Sequence, residues 1–103
     1  MKLMTQEVAQ QIPALYSQEE KTDPIVYVKF FTPWSIWTWY VTEFDGKDTF
    51  FGYVKGYEEE FGYFSLSELE SVTGPFGLKI ERELYFRPKL LSQILGKTFS
   101  DED

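Results

Sequence analysis

Apolar positions near the start of the chain repeat at a helical spacing. Val8, Ile12 and Leu15 are separated by four and three residues, so one face of a helix can pack on a core. Thr5 precedes them as a suitable N-cap. The pattern therefore predicts a short helix that ends at about Gln11.

The pattern then changes to that of β-strands. After a polar loop at residues 17–24, β-branched and aromatic residues dominate four segments that are separated by turn signals. The segments are residues 25–31, 37–44, 49–57 and 61–66. Asp45-Gly46 favours a hairpin between the second and third segments, and the run Glu58-Glu59-Glu60 forms a charged tip before the fourth. Together they predict an antiparallel meander.

The second strand segment alternates along its length. Successive strand residues point to opposite faces of a sheet. The alternation predicts one face with Trp37, Trp39, Val41 and Glu43, and another with Thr38, Tyr40, Thr42 and Phe44. In the third segment, Gly52 and Gly56 indicate bulges or close packing against a ring.

After the fourth strand segment the spacing becomes helical again. Ser65 with Glu68, or Ser67 with Glu70, forms a capping box in one of two registers. Either register predicts a short helix near residues 67–72, which the Gly-Pro-Phe-Gly sequence that follows would end.

The end of the chain combines one more strand pattern with one more helix. Residues 78–85 alternate as in a half-exposed strand. Pro88 suits the first turn of a final helix, and Gly96 suits its C-terminal cap. The apolar stripe of that helix consists of Leu90, Leu91, Ile94 and Leu95. Core packing explains the stripe most simply, and a homodimer or a groove for a partner helix are the alternatives.

These elements predict an α+β fold. It has an antiparallel sheet of four or five strands, with short helices at the N-terminus, after the fourth strand and at the C-terminus. A length of 103 residues suits one domain over residues 1–103, with a frayed acidic tail at about residues 97–103.

Two residue types are missing, and this restricts the chemistry. Without Cys, neither a disulfide nor a thiolate metal site can form, which fits a reducing, cytoplasmic environment. Without His, Ser-His and Cys-His nucleophile pairs are excluded. The net charge of −7 disfavours binding to phosphate backbones. No segment approaches the roughly 20 apolar residues that span a bilayer, so no membrane association is expected.

Aromatic residues make up 19% of the chain, which suggests that some rings remain at the surface. Trp34, Trp37, Trp39 and Tyr40 are either a recognition surface or part of a buried sheet face. Burial is the favoured interpretation for Trp39 with Tyr40. Trp34 lies in a predicted turn, where exposure and burial are equally expected.

The acidic residues also have two interpretations. The run Glu58-Glu59-Glu60, with Glu43, Asp45 and Asp48, could mimic the charge of a nucleic acid and occupy a basic groove. The simpler interpretation is a solvated hairpin tip that protects a sheet edge. A metal site at these carboxylates and a hydrolytic Glu43–Asp45 pair are both disfavoured, and no cofactor is expected.

Three segments of the chain contain distinctive motifs, which are W-T-W-Y at residues 37–40, T-E-F-D-G at residues 42–46 and G-Y-F-S-L-S-E-L at residues 62–69. With these segments the chain resembles an uncharacterised bacterial family, a domain of unknown function carried on plasmids, phages and integrative elements. The resemblance covers nearly the whole chain and carries no catalytic residues. It implies an accessory gene of a mobile element, for which interference with host defence is one task.

The sequence therefore favours a small acidic, non-catalytic accessory protein that binds a protein partner with a basic surface. An inhibitor of a host defence nuclease, of the anti-CRISPR or anti-restriction type, would fit this description. The candidate binding residues are Trp34, Trp37, Tyr57, Glu58, Glu59, Glu60, Asp45 and Asp48. A nucleic-acid-binding accessory protein is the first alternative, and its contacts would come from Lys29, Lys55, Lys79, Arg82, Arg87 and Lys89. An enzyme that uses carboxylates and Tyr is the second.

Overall fold

A computed structural model describes residues 2–97 of the chain. The strands are β1 (Ile25–Val26), β2 (Val28–Phe31), β3 (Thr38–Phe44), β4 (Thr49–Lys55), β5 (Glu59–Ser65), β6 (Glu81–Arg82) and β7 (Lys89–Leu90). The helices are α1 (Gln6–Gln11), α2 (Leu66–Ser71) and α3 (Leu91–Leu95), with a 3₁₀ turn at Pro75–Gly77. Five strands form an antiparallel sheet in the order β5-β4-β3-β2-β6, and β1 pairs with β7 in a second, two-stranded sheet. The α+β prediction is confirmed.

Local signals that were visible in the sequence determine where the helices begin and end. The Thr5 hydroxyl accepts the N–H of Val8 at 3.2 Å, and the Ser65 hydroxyl accepts the N–H of Glu68 at 3.1 Å. The first of the two capping registers is therefore the one used. Gly96 ends α3 with a φ of 68°, a left-handed conformation that favours glycine.

The main core lies on one face of the five-stranded sheet. Phe50 is its centre, since it is fully buried and stacks on Phe44 with ring centroids 4.4 Å apart. Phe30 meets Phe50 edge-on at 5.4 Å. Ile12, which follows α1, and Leu69 of α2 belong to the same cluster, so both helices contribute to covering this face.

A second, smaller core lies on the opposite face. Val26, Tyr40, Tyr53 and Leu91 are buried together, and Ile94 and Leu95 pack against them. Leu91, Ile94 and Leu95 of the predicted stripe therefore pack on this core, as the core-packing interpretation predicted. Leu90 does not, because it lies in β7 and is 38% exposed. Burial is the largest cause that raises the pKa of the Tyr40 phenol above 10.0.

A β-bulge in β3 overturns the predicted alternation. Val41 pairs with Gly52, but the next pair is Glu43 with Phe51, so Thr42 is the extra residue. An extra residue reverses the alternation for the rest of the strand. Glu43 therefore does not share a face with Val41, and Phe44 takes that place in the main core.

Two predicted strands differ from the observed ones because tertiary pairing interrupts them. The segment at residues 25–31 divides at Tyr27, since Val26 belongs to the second core and Val28 to the main core. The alternating segment at residues 78–85 forms a strand over Glu81–Arg82 alone, where it pairs with β2.

The final helix begins later than predicted. Lys89 and Leu90, next to Pro88, pair with β1 as a strand instead of forming the first helical turn. Asp23 then caps α3 from a distant part of the chain, because its carboxylate accepts the N–H of Ser92 at 2.9 Å and the Ser92 hydroxyl at 2.6 Å. Most of the predicted frayed tail, residues 98–103, lies outside the described residues.

The helices within residues 2–97 are too short and too polar for any of them to cross a membrane.

Candidate functional site

The first concave surface is an open groove of about 500 Å³, here called the tryptophan groove. It is lined by Thr32, Trp34, Ser35, Trp37, Trp39, Tyr57, Val72 and Ile80. Trp37 stacks on Trp39 with ring centroids 6.0 Å apart and meets the ring of Tyr57 edge-on at 5.8 Å. Tyr57 is 87% exposed, so the groove presents a large phenol to the solvent.

Two glycines allow the indole rings to lie close to the backbone. A Cβ atom at Gly56 would lie 2.5 Å from the ring of Trp37, and one at Gly74 would lie 2.5 Å from the ring of Trp34. The prediction that Gly56 marks close ring packing is therefore confirmed. Both indoles are half-buried, so each offers one part of its surface to a ligand.

The acidic run Glu58-Glu59-Glu60, here called the acidic tip, follows directly on Tyr57. Its last residue lies on the same face as the groove, because Glu60 pairs with Val54 and Val54 pairs with Trp39 in one cross-strand row. Contrary to the prediction of a tip that ends before the fourth strand, β5 already begins at Glu59.

Glu59 points to the other face and has intramolecular partners. Its carboxylate accepts the Tyr53 hydroxyl at 3.0 Å and lies 3.4 Å from the Lys97 ammonium. The hydrogen bond from Tyr53 lowers the pKa of Glu59, and Lys97 lowers it further. Within the acidic tip, Glu60 is thus the carboxylate on the same face of the sheet as the groove, and Glu58 follows Tyr57 directly in sequence.

The two aspartates of the predicted site lie at the opposite end of the sheet, in the β3–β4 turn. One seven-residue strand, roughly 20 Å long, separates that turn from the acidic tip. Asp48 accepts the N–H of Ser67 at 2.8 Å and its hydroxyl at 3.0 Å, so it holds the start of α2. The structure therefore gives Asp45 and Asp48 local hydrogen-bonding roles and does not bring them to the groove.

Acidification should weaken the β3–β4 turn through Asp45. Its carboxylate accepts the N–H groups of Lys47, Asp48 and Thr49 at 2.8, 2.8 and 3.0 Å, which lowers the pKa of Asp45 below 3.8. Because the folded-state pKa is the lower one, this stabilisation is present above about pH 4 and is lost as the pH falls. In the Asp45→Asn variant, the urea concentration at the midpoint of unfolding should decrease less as the pH falls below 4 than it does in wild type. Glu20→Gln is the control, and a profile equally flattened by it would contradict the assignment.

The second concave surface is a cavity of about 280 Å³ on the opposite face of the sheet, here called the Glu43 cavity. Its walls include the rings of Tyr16, Phe51, Phe61 and Tyr63. Glu43 also lines it and is only 3% exposed. The bulge at Thr42 places the Glu43 carboxylate on this face, beside Phe51.

Backbone groups of the loop that precedes β1 hold the buried carboxylate. One oxygen of Glu43 accepts the N–H of Tyr16 at 2.7 Å, and the other accepts the N–H of Gln18 at 2.9 Å. Tyr16 has a left-handed φ of 72°, which a non-glycine residue rarely adopts. This strained position turns the Tyr16 N–H toward Glu43 and leaves the Tyr16 ring at the rim of the cavity.

Gln18 attaches the same loop to the sheets. It is buried, and its amide nitrogen donates to the carbonyl oxygens of Ile25 at 2.8 Å and Thr42 at 2.9 Å. Its amide oxygen accepts the N–H of Ile25 at 2.8 Å. The segment at residues 17–24, which was predicted only to be a polar loop, therefore forms a fixed wall of the Glu43 cavity.

The rings of the cavity contact one another. Phe51 and Phe61 stack with centroids 6.0 Å apart, and Phe51 meets Tyr63 edge-on at 4.8 Å. A side-chain hydrogen bond with Tyr16 raises the pKa of Tyr63, and the negative charges of Glu43 and Glu19 add to the shift. Glu43 thus places a carboxylate at the cavity, whose lining also includes Lys21.

Sequence analysis found the parts of the groove but not the cavity. Trp34, Trp37 and Tyr57 converge in the tryptophan groove, and the acidic tip follows Tyr57 in sequence. Glu43 was weighed as one carboxylate of an acidic surface and as a partner of Asp45, yet Glu43 is buried while Asp45 is exposed. The available signal was an acidic residue within an otherwise apolar strand, which is rarely buried without a specific reason.

Comparison with known proteins identifies the family. A family model described as a protein of unknown function (DUF2958) matches residues 3–96, and the chain belongs to this family. No curated protein and no solved structure matches the chain. The resemblance to an uncharacterised family is thereby confirmed, while its mobile-element setting stays a prediction.

Proposed function

For this member of a family of unknown function, we propose that the chain is a non-catalytic accessory protein that binds a basic protein partner. The contact surface is the tryptophan groove with the acidic tip beside it. The observation that carries the proposal is that the half-buried ring of Trp37 contacts the exposed ring of Tyr57, which Glu58 follows in sequence, while Glu60 lies on the same face of the sheet. The family has no described activity that bears on this proposal.

The chemistry of the surface supports a protein partner. Trp and Tyr provide most of the energy at many protein interfaces, because large rigid rings bury much area at little entropic cost. Carboxylates around such rings favour cationic partners and accelerate the encounter. The net charge of −7 acts in the same direction at longer range.

A nucleic-acid partner has less support from the contacts of the basic side chains. Arg82 donates to the carbonyl oxygen of Leu3 at 2.7 Å, Lys79 donates to Thr73 at 2.7 Å, and Lys29 lies 3.9 Å from Glu83. These three of the six candidate cations already have partners within the chain, whereas Lys55, Arg87 and Lys89 lie at exposed positions. None of them lines the tryptophan groove.

The predicted mobile-element setting gives the proposal its specific form. A cytoplasmic host nuclease of a CRISPR or restriction system presents a basic DNA-binding groove, which an anionic surface with aromatic anchors can occupy. We propose such an inhibitor as the biological role. The chain would then reduce DNA cleavage by the captured nuclease in proportion to binding.

Affinity capture from host lysate with matched variants tests the contact surface. The test variant is Tyr57→Ala with Glu60→Lys, and the control is Tyr85→Ala with Glu70→Lys. Both variants remove one exposed Tyr and reverse one exposed Glu, so their charge changes are equal. The test variant should weaken binding of the captured partner about 30-fold or more, and the control less than about threefold.

Two results would count against the proposal. If wild-type protein captures no protein more strongly than the test variant does, the proposed binding of a protein partner is wrong. A saturable fluorescence anisotropy change with a single-stranded oligonucleotide, retained at 150 mM salt, roughly the physiological level, would favour the nucleic-acid alternative instead.

A further inference from the structure

The Glu43 cavity holds a carboxylate under unusual conditions. Burial of a charge costs several kcal/mol unless other groups compensate for the lost water. Two backbone N–H groups, from Tyr16 and Gln18, give part of that compensation. Within residues 2–97, the ion pairs are Lys29–Glu83 and Lys97–Glu59, so no Lys or Arg there pairs with Glu43. The negative charge is thus held in place without a cation of the described chain.

The aromatic walls of the cavity favour a cation, as the Glu43 carboxylate does. Aromatic faces carry partial negative charge, and they attract ammonium and guanidinium groups. Phe51, Phe61 and Tyr63 provide such rings beside the Glu43 carboxylate. A carboxylate combined with several rings is a combination of groups that favours an organic cation.

The volume of the cavity and the shape of the possible cations indicate which class of cation fits best. A volume of about 280 Å³ is at the lower limit of drug-sized sites, which span roughly 300–1,000 Å³, and matches a single long side chain. A guanidinium group is planar, so it can pair with both oxygens of a carboxylate and stack on a ring at the same time. An ammonium group is more strongly hydrated and lacks that shape.

We propose that the Glu43 cavity binds a guanidinium group, with the carboxylate of Glu43 as its anion and the rings of Phe61 and Tyr63 as its walls. The guanidinium belongs either to an arginine side chain of a protein or to a small arginine-like molecule. The site lies on the face of the sheet opposite the tryptophan groove and does not depend on the function proposed for that groove.

Lys21 gives the proposal a further consequence. It also lines the cavity, so its positive charge can compete with an incoming cation. Lys21→Met should remove that competition and tighten guanidinium binding a few-fold. Lys79→Met, at an exposed position that does not line the cavity, should leave binding unchanged.

Nuclear magnetic resonance titration of the full chain tests the site directly. The amide signals of Tyr16 and Gln18 report on Glu43, because both groups donate to its carboxylate. N-acetyl-arginine amide should shift them saturably with a dissociation constant in the millimolar range. The neutral isostere N-acetyl-citrulline amide should bind at least about tenfold more weakly.

Variants separate recognition from folding. Glu43→Gln should weaken binding about tenfold or more, and Phe61→Ala, at a partly exposed position of β5, about fivefold. Phe76→Ala is the matched control, because Phe76 is fully exposed and does not line the cavity. If the Glu43→Gln variant does not fold, the Phe61→Ala and Lys21→Met variants still test whether the cavity binds a guanidinium group.

Each outcome has a defined meaning. A five-residue peptide with a central arginine that binds as tightly as the amide indicates a protein-borne arginine, and binding of the amide alone indicates a small molecule. Both support guanidinium recognition. No saturable shift at 50 mM ligand, well above a millimolar dissociation constant, or equal binding of the citrulline compound, would overturn the proposal. The Tyr57→Ala, Glu60→Lys variant should bind the arginine compound as wild type does. A failure of the guanidinium proposal can therefore be distinguished from a failure of the function proposed for the tryptophan groove.

Discussion

Gly52→Ala is expected to lower the free energy of unfolding by about 3 kcal/mol or more. A Cβ atom at this position would lie 2.0 Å from the carbonyl oxygen of Tyr40. That oxygen belongs to the backbone of the central strand, next to the bulge at Thr42, so it cannot move aside as a flexible side chain would. Urea denaturation followed by circular dichroism measures the loss.

The opposite position on the neighbouring strand is a matched control. Gly62 pairs directly with Gly52, but a Cβ atom there would meet nothing within 4 Å. Gly62→Ala should therefore stabilise the protein by about 0.5–1 kcal/mol, since alanine loses less backbone entropy on folding. Equal losses from the two substitutions would show that the close approach at Gly52 is not the cause.

Gln18→Ala is expected to cost about 3 kcal/mol as well. The substitution removes three hydrogen bonds and leaves buried backbone groups of Ile25 and Thr42 without these partners. The same measurement applies. Gln11→Ala, at an exposed position of α1, should change the stability by less than about 0.5 kcal/mol. A loss below about 1 kcal/mol at Gln18 would mean that water replaces the lost partners.

Short-range signals explain why the fold class could be predicted. Thr5, Ser65 and Gly96 act within one turn of the helices that they begin or end, so the neighbouring sequence contains the whole cause. The hairpin turn at Asp45 is equally local, because its carboxylate accepts hydrogen bonds from the next few residues. Such features depend little on the rest of the molecule.

Features that depend on distant partners could not be predicted. Strand β6 stops at Arg82 although the alternation continues, because only two of its residues pair with β2. Asp23 caps α3 across most of the described chain, and no spacing rule connects it with Ser92. The bulge at Thr42 has no composition signal within β3, yet it determines which residues face each core.

The two candidate sites also differ in how far they could be predicted from the sequence. The tryptophan groove could be anticipated in part, since Trp34 and Trp37 are close in sequence and Tyr57 lies at the adjoining hairpin end. The Glu43 cavity could not, because it needs the bulge and the loop held by Gln18 at the same time. Neither requirement follows from residue types along the chain.

The pairing of β1 with β7 has a consequence for the order in which the protein folds. Ile25 pairs with Leu90, so this contact closes a loop that contains the whole five-stranded sheet. While residues 89–95 are still inside the ribosome, a nascent chain can assemble the meander, but Tyr40 and Tyr53 lack the cover of α3. We expect the second core to close last, as a slow, high-contact-order step that follows release of the C-terminal segment.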